Sequence, residues 1–485
     1  MLFAMPSLRD ALLLSSVLAI SVHARPQDTF FGQLVTAVDK ILGPIVQVVD
    51  PSALVNGSLP NVVVLVNNVT NTTTATGNLV FAHHIVGNTF NYTVETWKND
   101  IVLAASKGID AFALNIGGDS WMPGQVANAY SAAKNLNTTF KLFFSFDMSS
   151  IPCASANDAS TVRNYITTYA SHPNQLLYNN SVFASTFAGE SCKFGASSVN
   201  QGWINTLKTN LTNVYFVPSF FVDPATFKTL TVMDGAFNWN GAWPAGNNDI
   251  NLSSDQTYLS NLGNRTYMAG VSPWFFTHYS PQTFNKNFIY RADDWLFAQR
   301  WELLIQNRTQ FPFAEVMTWN DYGESHYVGP VEGVQPMSQA WVNGFDHQGW
   351  LDLMKYYISA YKSGTYSDIT KDRIFTWARL YPVNATAPDS IGKPTNYQWT
   401  EDYLWTVVLL TAPANVTQAC GASTSTSSVP AGLSKLKLAL KEDCSVNVTI
   451  TRNSTTALTF SPAGFKFDTK PPSYNFNAFV AASPP

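Results

Sequence analysis

Charge is scarce in this sequence: Asp, Glu, Lys and Arg together make up 12% of 485 residues, with a formal net charge of -4. No basic stripe is present to grip phosphates, which excludes a nucleic-acid partner. Cysteine is equally sparse at four, and the seven histidines show no metal-ligand spacing, so neither a metal nor a cofactor is expected. A Gly-x-Ser-x-Gly elbow, a His-Glu-x-x-His pair and a phosphate-binding Gly-Lys-Ser/Thr are all missing. Gly118-Asp119-Ser120 is the nearest approach to a hydrolase serine, and it lacks the second glycine. After the first two dozen residues there is no apolar run long enough to span a membrane, so no membrane partner is expected.

The N-terminus carries an export pattern. Arg9 precedes the apolar run Ala11–Val22, and Val22-His23-Ala24 gives a small-residue cleavage site, which predicts a signal peptide over 1–24. Fourteen Asn-x-Ser/Thr triplets, from Asn56 to Asn453, fit a secreted glycoprotein. The cysteines fall into two separated pairs, and nearest-neighbour bridges Cys153–Cys192 and Cys420–Cys444 are favoured among three connectivities. Secretion, free or at the cell wall, is the expected localisation.

The hydrophobic fraction of 46% over this length calls for more than one core. Residues 25–77 read as an extension, a propeptide or linker. From 78 to 368, short apolar runs alternate with helix-length segments: 79–83, 111–115, 140–146, 182–187, 214–221, 235–239, 267–271 and 314–319 read as eight strands. The pattern predicts an α/β class, a (β/α)8 TIM-like barrel, with a doubly wound open sheet as the alternative. A polar group stands at or just beyond strand after strand: His83, Asp119, Asp147, Glu190, Asp223, Asn238, His278 and Asp321. Loops after barrel strands converge on one face, where active sites are built, although any single Asp there also serves as a helix cap. From 369 to 485, alternating runs at 405–410, 434–440, 446–451 and 458–467 predict an accessory β-sandwich.

Glycoside cleavage needs two carboxyl groups, one to protonate the leaving oxygen and one to activate water or attack directly. Asp321 and Glu324 lie three apart on a Gly-containing loop after the last strand, flanked by Trp319, Tyr322 and Tyr327. Two solvated acids on an ordinary loop would have the same spacing. The blocks Val80-Phe81-Ala82-His83, Gly108 to Gly117, Ser145-Phe146-Asp147-Met148-Ser149, Thr186 to Glu190, Ser272 to His278 and Thr318 to Tyr327 resemble glycoside hydrolase family 71, with further likeness at Gly344 to His347 and Tyr474 to Ala478. The resemblance covers roughly 79–485.

That resemblance implies a fungal-type endo-α-1,3-glucanase, or mutanase: a barrel with a β-sandwich behind it, hydrolysing α-1,3-glucan with inversion. It places the paired acids at Asp321 and Glu324 and a further functional aspartate at Asp119, with His84 standing where a bulky apolar residue would be. Glu324 is assigned as general acid and Asp321 as general base. His83, Asp147, Glu190, Asn238, His278, Tyr322 and His326 are expected to orient sugar hydroxyls or tune the pair. Trp121, Trp239, Trp243 and Trp274 are expected to line the glucan cleft. The partner is the polysaccharide, and the chain is expected to act as a monomer. Two other classes stay open on the residues alone: a silent glucan-binding wall protein, and a glycosidase of different linkage.

Overall fold

A computed structural model describes residues 77–485 apart from residue 212; the expected signal peptide and nearly all of the extension lie outside the described residues. Eight parallel strands follow one another along the chain: β1 Leu79–Ile85, β2 Ala111–Ile116, β3 Lys141–Asp147, β4 Ser181–Phe187, β5 Val214–Phe216, β6 Gly235–Asn238, β7 Thr266–Val271 and β8 Phe313–Val316. Their residues are buried almost without interruption, as parallel strands covered on both faces require. β5 ends at Phe216, short of the apolar run 214–221, although beyond Pro218 the Ser219 N–H still reaches Thr186 C=O at 3.0 Å.

Helices alternate with the strands: α1 Val94–Ser106, α2 Met122–Asn135, α3 Ala159–Tyr169, α4 Val199–Leu207, α5 Ser253–Leu262, α6 Leu296–Gln306, the short α7 Gln339–Val342, and α8 Gln348–Ser363. Local chemistry sets their ends. Thr93 caps α1 by accepting from the Thr96 N–H, Ser198 caps α4 through Gln201, and Gly364 ends α8 at φ +87°.

The strands hydrogen-bond in the order β5-β4-β3-β2-β1-β8-β7-β6. The sheet is strongly curled. Phe81 on β1 meets Phe143 on β3 at 4.9 Å, Phe183 on β4 at 5.5 Å and Phe313 on β8 at 5.7 Å between ring centroids. The contacts of β1 with β3 and β4, which are not its neighbours, need one concave interior. Between β5 and β6 there is no ladder, but Asp234 N–H donates to Phe216 C=O at 2.8 Å and Phe237 N–H to Pro218 C=O at 2.9 Å.

Two four-stranded antiparallel sheets follow. One runs Gly432–Ala439, Tyr403–Leu410, Arg373–Arg379, Ala478–Ala482; the other runs Ser423–Val429, Ala414–Cys420, Val446–Arg452, Thr455–Phe460. Ile374, Leu404 and Val408 from the first share a core with Val416, Val448 and Ile450 from the second. The opposite face of the first sheet, with Phe375, Trp377 and Trp405, joins the main core against Trp350 of α8. Both expected disulfides are present. His84 is fully buried, its Nε2 3.1 Å from Asp100 Oδ2 and its ring 4.5 Å from that of Trp97, so a polar pair fills an apolar-sized position behind β1. Among the described residues no helix is long and apolar enough to cross a membrane.

Candidate active site

The loop leaving β8 is fixed before any side chain reaches solvent. Trp319, fully buried, donates its N–H to His83 C=O at 2.7 Å. The Asn320 side chain clasps the end of β1, Oδ1 accepting from Ile85 N–H at 2.7 Å and Nδ2 donating to Ile85 C=O at 3.1 Å. Thr318 N–H donates to His326 C=O at 2.8 Å, closing the loop on itself. Gly323 has no room for a side chain, since a Cβ there would collide with the Tyr279 hydroxyl. These restraints turn Asp321 and Glu324 to the same side, with side chains 23% and 22% exposed.

His326 stands between the two acids, fully buried, with Nε2 3.4 Å from Asp321 Oδ2 and 3.4 Å from Glu324 Oε2. At that length the contacts are ion pairs rather than well-formed hydrogen bonds. Burial alone would lower the imidazole pKa, but the two carboxylates outweigh it and carry it up to about 9. At neutral pH His326 is therefore a cation. Burial pushes Asp321 up, yet His326, the Glu324 N–H and the charge of Lys286 together bring it below the ordinary carboxylate value. Lys286 Nζ lies 3.3 Å from Glu324 Oε1. Donor atoms of Asp321, Glu324 and His326 fall within 4.8 Å of one another, close enough to surround a metal ion.

The other expected residues divide by position. Trp243 is buried beside His326, its ring 5.7 Å from the imidazole, with Nε1 donating to Trp274 C=O. Trp239 reaches across the concave interior, 5.0 Å from the His83 ring and 4.9 Å from that of Phe187. His83 is buried beneath it, its Nδ1 2.7 Å from Glu315 Oε1. Asp147 and Glu190 are partly exposed at the ends of β3 and just past β4; Asp147 accepts from Ser149, and Glu190 from Phe221 N–H at 3.3 Å. Asp119 is exposed on the loop after β2, beside the half-buried Trp121.

Four expected residues are committed elsewhere. The Asn238 amide is buried and donates to Ser254 and Tyr267 while accepting from Gly241. His278 is held between Asn287 and Asp389. Trp274 is buried with Nε1 bonded to Phe476 C=O, between the curled sheet and the terminal segment. Tyr322 is buried, its hydroxyl donating to Pro330 C=O. Sequence reasoning missed Lys286, Tyr279 and Tyr290, which surround Glu324 from the segment after β7. No motif marked them, because the hairpin that carries them, Phe276–His278 with Asn287–Ile289, has only three-residue strands.

Two carboxylates, one ionised through paired cations, on a loop at the C-terminal end of a parallel sheet can exchange protons with a bound acetal. The family model for glycosyl hydrolase family 71 matches residues 76–485. The glucan endo-1,3-alpha-glucosidase agn1 of Schizosaccharomyces pombe is 41% identical over 411 residues, 83% of this chain and 94% of that protein. The ascus wall endo-1,3-alpha-glucanase of the same organism is 36% identical over 354 residues, 69% and 79% of the two chains. Mutanase Pc12g07500 of Penicillium rubens is 34% identical over 419 residues, 83% and 88%. The match runs through both the curled sheet and the sheets behind it, and on it the chain belongs to glycosyl hydrolase family 71 and is a glycoside hydrolase.

Proposed function

We propose that this enzyme cleaves α-1,3-glucosidic bonds within α-1,3-glucan, using Asp321 and Glu324 as its acid–base pair. The observation that carries the reading is the pair itself: two half-shielded carboxylates on one rigid loop, with His326 charged between them. Asp321, held ionised, suits the general base; Glu324 takes the acid role and would gain its proton as substrate separates it from Lys286 and His326. Trp243, Trp239 and Trp121 would line the cleft, and Asp119, Asp147 and Glu190 would meet sugar hydroxyls from neighbouring loops. The two relatives named as endo-1,3-alpha-glucan hydrolases support the linkage.

The curled sheet is best read as a (β/α)8 barrel whose eighth seam, β5 to β6, is bridged by two main-chain bonds instead of a ladder. Residues 78–368 would form the catalytic part and 369–485 an accessory β-sandwich. The protein would act outside the cell, at the wall where such glucan lies, and as a monomer.

Stereochemistry has two readings. The family resemblance implies inversion, which places the carboxyl groups about 6.5–9.5 Å apart with a water between base and sugar. The donor oxygens of Asp321 and Glu324 lie within 4.8 Å of each other, nearer the about 5–5.5 Å of retaining enzymes. Inversion through this pair then requires Glu324 to swing away from Asp321 as substrate enters. NMR of the first product's anomeric configuration separates the two. Reducing-sugar release from α-1,3-glucan but not β-1,3-glucan tests the linkage; the reverse preference would overturn it.

A further inference from the structure

β8, which delivers the two acids, lies between β1 and β7 in the sheet. The loops leaving those two strands therefore flank the catalytic loop on opposite sides. Each presents a large ring to solvent: Phe90 after β1 is 61% exposed, and Phe284 after β7 is 52% exposed. Each ring is backed by a second aromatic. Phe90 meets Trp121 edge-on at 5.2 Å, and Phe284 meets Tyr279 edge-on at 4.7 Å.

Both flanking loops are bonded to the catalytic loop. On the Phe90 side, Asn88 Nδ2 donates to Asn320 C=O at 2.9 Å and Asn88 C=O accepts from Val334 N–H at 2.8 Å. On the Phe284 side, Phe276 N–H donates to Glu324 C=O at 3.0 Å, and Tyr279 packs against Gly323 between the two acids. Exposed rings of this size gain nothing from water. The C–H faces of a neutral sugar cover an aromatic ring without needing a charge partner.

Resting on the α-1,3-glucan reading above, we propose that Phe90 and Phe284 are sugar-stacking platforms on opposite sides of the scissile bond. Together they hold the chain on both sides of the cut and set internal cleavage. A single platform would anchor one end only and leave the position of the cut unfixed on the other side.

The test uses the full enzyme with an end-labelled α-1,3-linked gluco-oligosaccharide of about six units. Both side chains are exposed, so Phe90→Ala and Phe284→Ala are expected to fold normally, which a melting curve checks. Each variant should raise KM on the polymer by about tenfold with kcat little changed, as loss of uniform binding requires. On the labelled oligosaccharide the two variants should move the preferred cut in opposite directions. A shift to the same end in both, or an unchanged pattern and KM in either, overturns the proposal. A wild-type enzyme inactive on this oligosaccharide would instead overturn the substrate reading, and the two platforms with it.

Discussion

Replacing His326 with Gln removes the cation between Asp321 and Glu324 while keeping a similar volume in a fully buried position. The imidazole pKa rises from 6.5 to about 9 in the folded chain, against the depressing effect of burial. At about 1.36 kcal/mol per tenfold change, that proton stabilises the fold by about 3 kcal/mol. A raised histidine contributes fully below its unfolded value, so the whole amount is present below pH 6.5 and is lost as pH rises through about 9. The lowered Asp321 reports the same contact from the other partner, so the two effects do not add. Unfolding entropy of about 2.1 cal/mol/K for each of roughly 400 residues turns about 3 kcal/mol into about 3–4 °C. Melting curves of wild type and His326→Gln between pH 5 and 10 should therefore show a gap of that size below pH 6.5 that closes by pH 9 to 10. With the cation gone, Asp321 loses what held it down, so the acid limb of the variant's kcat/KM profile should move to higher pH. A gap independent of pH, or a variant more stable than wild type at pH 5, would refute the charge assignment.

Gly323→Ala drives a Cβ into the Tyr279 hydroxyl and displaces the loop between the acids; kcat/KM should fall by about 10²-fold, and adding Tyr279→Phe should recover part of it. Lys286→Met removes one of the charges that lower Asp321, so its pH–rate profile should shift its acid limb upward, with Lys286→Arg restoring the original position. The Arg300 guanidinium bonds Asp255 through both terminal nitrogens at 2.7 Å, both side chains fully buried. Asp255→Asn leaves that cation without a counter-charge and should cost about 3–5 kcal/mol in chemical denaturation.

The strands were legible because burial on both faces forces unbroken apolar runs, as in Ala111–Ile116. The segment Arg373–Arg379 was not, since it lies where the chain passes between the two architectures and has charged ends. Ser423–Val429 escaped for the opposite reason: a strand of Ser and Thr has no hydrophobic alternation to read. The acids Asp321 and Glu324 were legible as a pair on one loop, but His326 between them could be placed only once the chain folded back through Thr318. Trp274 and Trp243 look alike in sequence, and the Trp243 indole donates to Trp274 C=O, yet only Trp243 reaches His326. Aromatic content marks a cleft and a core with the same residues. The rings that the fold leaves in solvent, Phe90 and Phe284, carried no signal because exposure is decided by loops whose paths depend on Asn88, Asn320 and Glu324 main-chain bonds.

The central claim is that Asp321 and Glu324 carry out the hydrolysis of α-1,3-glucan, and turnover by Asp321→Asn and Glu324→Gln tests it most directly. Each amide keeps the volume of its acid and loses the ability to exchange a proton. Both variants should melt no more than about 3–4 °C below wild type, the cost of losing the His326 contact, bind insoluble α-1,3-glucan, and turn it over at least about 10³-fold more slowly. A substrate with an activated leaving group should partly rescue Glu324→Gln and not Asp321→Asn; the reverse would exchange their roles. Near-normal turnover of α-1,3-glucan by both variants would contradict the account.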